Sequence, residues 1–72
     1  MMKIEYDKEA DALYISIKED YVERTDDLDN GVSLDFDKEG NLIGVEILYA
    51  TKKYSKQDIF NLTTKNLILE SV

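Results

Sequence analysis

Between Gly31 and Ala50 the sequence leaves little freedom about its own structure. Val32, Leu34 and Phe36 alternate with Ser33, Asp35 and Asp37, the two-residue period of a strand with one buried face. After Lys38-Glu39-Gly40-Asn41, a turn by composition, Ile43, Val45, Ile47 and Tyr49 alternate with Gly44, Glu46 and Leu48. Apolar side chains must share a face, and that fixes the register. A four-residue loop pairs Phe36 with Ile43, Leu34 with Val45 and Val32 with Ile47, leaving Asp35 opposite Gly44 and Ser33 opposite Glu46. A three-residue loop would set Val32 against Glu46 on the core face, so the sequence predicts the longer one.

The same design occurs once before. Lys3 to Ile17 aligns without gaps on Ser33 to Ile47: Asp7-Lys8-Glu9 matches Asp37-Lys38-Glu39, Tyr6 stands for Phe36 and Leu13 for Ile43. This predicts a first hairpin pairing Ile4 with Ile15 and Tyr6 with Leu13, and one core cluster of Tyr6, Leu13, Phe36 and Ile43. Duplication and convergence on one turn chemistry both account for the likeness. Asp11 and Asn41 take the equivalent loop position, where an Asx side chain tolerates positive φ; Gly40 is expected to help close the second loop.

Between the hairpins, Tyr21 to Asp27 reads as an edge strand anchored by Val22, with charges that discourage unwanted pairing. Leu28 is expected in the core and Asp29-Asn30-Gly31 in a turn. Ser55 with Asp58 resembles a capping pair and opens a short helix of about residues 56 to 63, with Ile59 and Leu62 on one face. Asn66 to Glu70 reads as a last strand or a docked tail. The expected fold is α+β, a mostly antiparallel meander of about five strands followed by a short helix and a terminal strand, in a single domain over residues 1–72.

Seventy-two residues bury only about 60% of the surface the unfolded chain exposes, so a chain of this size usually needs a further source of stability. Cysteine and histidine are both absent, which removes disulfides and the usual zinc ligands; no cofactor is expected. Self-association or a bound partner remains. A net charge of −7 argues against nucleic acid, whose phosphates would be repelled. It admits a small basic protein, or serves solubility alone. No apolar run of about 18 residues is present, so no spanning helix is expected; the first residues lack the apolar core of a secretory signal, and a cytoplasmic location is the expectation.

At Tyr6-Asp7 with Glu9-Ala10-Asp11-Ala12-Leu13-Tyr14, and at Asp35 with Asp37, Gly40, Gly44, Glu46, Ile47 and Leu48, the chain resembles a family of small bacterial and archaeal proteins, domain-of-unknown-function family 2283. The likeness covers roughly residues 3 to 53. The family's second motif usually ends in Ala-Ser-Lys, where this chain has Ala50-Thr51-Lys52, which keeps a hydroxyl. The resemblance implies a small sheet-rich fold and a bacterial or archaeal cytoplasm, and brings no established activity. Members are sometimes encoded beside small toxin-like proteins, which implies an antitoxin role as one candidate.

Three sets of residues are candidates for function. Asp7-x-Glu9-x-Asp11 and Asp37-x-Glu39-x-Asn41 open like a calcium loop, but Ala12 and Leu42 stand where that loop needs glycine, and Lys18 and Leu48 where it needs a bidentate glutamate. Turn hydrogen bonding explains the same residues more simply. Asp35 and Glu46, diagonal neighbours on the polar face with Asp37 and Glu5 near, could pair for acid–base chemistry, yet a flat wet sheet offers no pocket to desolvate them. On that same face Tyr14, Leu42 and Leu48, with Ala12 and Ala50, mark a candidate interface, unless the helix folds over it. The sequence therefore points to a non-catalytic, self-associating protein-interaction module, with an antitoxin-like role as one candidate form of it and Tyr14, Leu42, Leu48, Glu46 and Asp35 as the candidate interface; the alternative is a carboxylate-based metal-binding protein or hydrolase.

Overall fold

The computed structural model describes residues 2–65, with side-chain burial through Asn61. Five strands form one antiparallel sheet: β1 (Lys3–Asp7), β2 (Ala12–Ser16), β3 (Arg24–Asp27), β4 (Val32–Phe36) and β5 (Leu42–Leu48). Two helices follow, α1 (Ala50–Lys53) and α2 (Lys56–Lys65). The fold is small α+β, as the alternation predicts.

The strands are not arranged in sequence order. The order across the sheet is β1-β2-β5-β4-β3: after the first hairpin the chain crosses to the far edge, then returns through β4 to set β5 beside β2. That adjacency fuses the two similar hairpins, pairing Leu13 with Ile47 and Ile15 with Val45. Apolar side chains consequently run across the sheet in rows. One row is Tyr6, Leu13, Ile47 and Val32, and the next is Ile4, Ile15, Val45 and Leu34.

Both hairpins hold the expected pairs, Ile4 with Ile15, Tyr6 with Leu13, Val32 with Ile47 and Leu34 with Val45. The exception is Phe36, which lies opposite Leu42 rather than Ile43 because the register shifts at Asp35 and Phe36. The cause is the turn. Asp37 is buried at 5% exposure, and its Oδ1 accepts hydrogen bonds from the backbone N–H of Glu39 at 3.0 Å and Asn41 at 2.9 Å, drawing the loop around its own carboxylate. Gly40, at φ 85°, supplies the left-handed residue, so Asn41 does not take the positive φ expected of it. In the first hairpin Asp11 does, at φ 51°.

The core is not the expected quartet. Leu13, Ala50 and Ile59 are buried together, with Ile4, Tyr6 and Ile47 packed against them. Ile43 is buried as well, at 2% exposure, while Phe36 is half-buried under the Arg24 guanidinium, 4.3 Å from its ring centre. Val22, expected as the strand's anchor, and Leu28, expected in the core, are exposed at 38% and 49%, since the strand spans only Arg24–Asp27 and both lie outside it.

Helix α2 begins where the capping pair places it: Asp58 donates its N–H to Ser55 Oγ at 3.0 Å, and Ser55 donates its N–H to Asp58 Oδ2 at 3.4 Å. It runs two residues beyond the expected end at Thr63, to Lys65, and lays Ile59 on the Leu13 face. The expected terminal strand, residues 66–70, lies outside the described residues.

Candidate functional site

Two constellations stand out, one at the sheet's end and one on its open face. The first centres on Asp11. Its Oδ1 accepts the Tyr6 hydroxyl at 2.7 Å and the Thr51 N–H at 3.1 Å, its Oδ2 accepts the Thr51 hydroxyl at 2.8 Å, and its carbonyl accepts the Ala50 N–H at 3.0 Å. The first N–H groups of a helix have no intrahelical acceptor, and Tyr49, the residue preceding α1, makes no side-chain cap. Asp11 supplies one from 40 positions away, turning the first hairpin's loop into the cap of the helix that follows β5.

This contact also holds Tyr49 in the left-handed region at φ 56°, a conformation that an aromatic residue adopts only when its surroundings enforce it. It draws Ala50 fully inside, at 0% exposure. Ala50 is therefore core, not a member of the outward face as expected. The Tyr6 hydroxyl bond is the main cause that holds the Asp11 carboxyl below the usual carboxylate range, against partial desolvation; reciprocally, it raises the Tyr6 phenol. A groove of about 630 Å³ opens beside this knot, lined by Lys8, Lys56 and Ile59 among others.

The second constellation is on the face turned away from Ile59. Tyr14 lies opposite Glu46 and donates its hydroxyl to Asp35 Oδ2 at 2.8 Å, while Thr25 donates to Asp35 Oδ1 at 2.6 Å. Burial, then the bond to Asp35, pushes the Tyr14 phenol up to about 12. The ring rests on Gly44: a Cβ there would meet the Tyr14 oxygen at 2.2 Å. Leu48 joins Tyr14 and Glu46 around a shallow depression with Glu5, Asp7 and Ala12.

Of the five candidate interface residues, Tyr14, Asp35, Glu46 and Leu48 thus share a face and a neighbourhood. Leu42 does not. It sits at the other end of β5, six residues or about 20 Å from Leu48, exposed at 38% beside the bulge. Asp37, expected near Asp35, turns into its own loop and faces Lys18 Nζ at 3.6 Å. Helix α2 covers the opposite face, so this one stays open among the described residues.

The acidic turns act as turns. Asp7 Oδ1 accepts the N–H of Glu9 at 3.0 Å and of Ala10 at 3.3 Å, as Asp37 does in its own loop, and the bond from the Asn41 N–H, ahead of partial desolvation, holds the Asp37 carboxyl low. Among the described residues, no group of three or more acidic side chains is placed to hold a metal ion, and no helix is long and apolar enough to cross a membrane.

A single antiparallel sheet with a helix on one face and a carboxylate-rich opposite face defines a small α+β protein whose motif residues serve turns, caps and cross-strand bonds. The chain belongs to the family described as Protein of unknown function (DUF2283), which it matches over residues 3–50. It is similar to the uncharacterized protein MJ0789 of Methanocaldococcus jannaschii, 40% identical over 67 residues, covering 93% of this chain and 55% of the relative. The chain thus spans about half the length of that relative. No solved structure matches.

Proposed function

We propose that this chain is a non-catalytic protein-interaction module that associates with itself. The observation that supports the reading is how few apolar side chains are fully buried among the described residues. Among the described residues the buried apolar side chains are Leu13, Ile43, Ala50 and Ile59, while the row Ile4, Ile15, Val45 and Leu34 stays half-buried. Apolar burial at about 25 cal/mol per Å² barely offsets chain entropy in a domain this small, and a subunit contact adds what the core lacks. The open face, bearing Glu5, Asp7, Asp35 and Glu46, suits a small basic protein, as an antitoxin offers its toxin.

Sedimentation equilibrium tests the reading. A dimer or larger species is expected at micromolar concentration, tighter as salt rises, because self-repulsion at −7 is screened beyond about 8 Å at physiological ionic strength. A monomer at both low and high salt overturns it.

A further inference from the structure

The two edges of the sheet are built differently. At β3, Asp26 lies opposite Leu34, placing a carboxylate on the face that carries the apolar rows, and Arg24 donates to it at 3.1 Å. Inward-pointing charge on an edge strand blocks the addition of another strand. At β1 the inward positions are Ile4 and Tyr6, half-buried, and the outward ones are Lys3, Glu5 and Asp7, exposed. Among the described residues β1 pairs with β2 alone, so the backbone groups of its other edge have no strand partner.

Resting on the reading that the chain self-associates, we infer that β1 is the seam: a second copy adds its own β1 antiparallel, about a two-fold axis through Ile4, continuing the sheet across both subunits. The register follows from two constraints. Keeping apolar side chains on one face requires residues of like parity to meet. A centre at Glu5 would oppose two glutamates directly, which is unfavourable across strands. A centre at Ile4 sets Ile4 against its own copy and Lys3 against the second copy's Glu5, twice by symmetry. It also brings Met2, exposed at 38%, against Tyr6 of the other copy on the apolar face. Within one chain Lys3 Nζ and the Glu5 carboxylate already lie 3.6 Å apart on the outer face. The seam turns that lone pair into a four-charge network of alternating sign, on a chain whose net charge otherwise opposes dimerisation.

Charge exchange tests the seam. Lys3 and Glu5 side chains are 62% and 61% exposed, so Lys3→Glu and Glu5→Lys are expected to fold as the parent does, checked by circular dichroism. By sedimentation equilibrium each single variant should dissociate about tenfold more readily than the parent, since attractive pairs become repulsive. An equimolar mixture of the two, and the double variant Lys3→Glu/Glu5→Lys, should each recover the parent's association. A parent dimer indifferent to both single changes overturns the β1 seam and leaves self-association standing on another surface. Weakened single variants that the mixture does not rescue overturn the Ile4-centred register. A monomeric parent overturns self-association and the seam together.

Discussion

Gly44 carries a constraint that its position in the second hairpin does not disclose. Its backbone needs no unusual φ; what excludes a side chain is the Tyr14 ring, with Cζ 2.9 Å and the hydroxyl oxygen 2.2 Å from where a Cβ would stand. Gly44→Ala must therefore lift the ring and break its bond to Asp35. The cost should be about 1–3 kcal/mol, the usual range for forcing a methyl into an occupied site, read from chemical denaturation. The cause is separable. In a Tyr14→Ala background the same change should cost little, and an undiminished penalty there would place the strain in the backbone instead. The pairing of Asp35 with Gly44 was legible in the alternation, but the ring laid across it comes from β2, a strand the second hairpin's own sequence does not mention.

At the scale of elements, the hairpins were legible and their joints were not. Alternation dictates which residues of a hairpin meet, because period and turn are both local. The bulge at Phe36 depends on Asp37 turning inward to serve its own loop, and α1 depends on Asp11 reaching Thr51. Tyr6, Asp11 and Thr51 form one knot, and the sequence signal for it was present: an Asx residue at a left-handed loop position and a hydroxyl following Ala50. Neither says that the two meet. The altered core changes which substitution matters most. Leu13 is 1% exposed, at the junction of sheet and helix, and Leu13→Ala should cost about 2–5 kcal/mol, a large share of a small domain's stability. Phe36→Ala should cost less, its ring being only half-buried, with the Arg24 guanidinium over one face. Urea midpoints of the two variants decide the order, and a larger loss at Phe36 would contradict the core described above.

For the molecule as a whole, the shifted groups bound a pH range of stability. The folded state lowers the Asp11 and Asp37 carboxyls below 3.8, so the stability they supply is present above that pH and is lost as pH falls through their folded values. Tyr6 and Tyr14 are raised above 10.0; folding then favours the protonated phenol, and stability falls as pH climbs from about 10 toward 12. Denaturation midpoints measured from pH 2 to 11.5 should show a plateau with two falling limbs. Asp11→Asn should flatten the acid limb, and Tyr14→Phe the alkaline one. The strand order has a consequence in time. Each hairpin closes through its own aspartate-held turn, a local event of microseconds, whereas β2 and β5 are joined across the whole chain between them and meet through a longer loop closure. The helix cap at Asp11 needs β2 and β5 side by side, so it cannot form from either hairpin alone and depends on that long-range encounter.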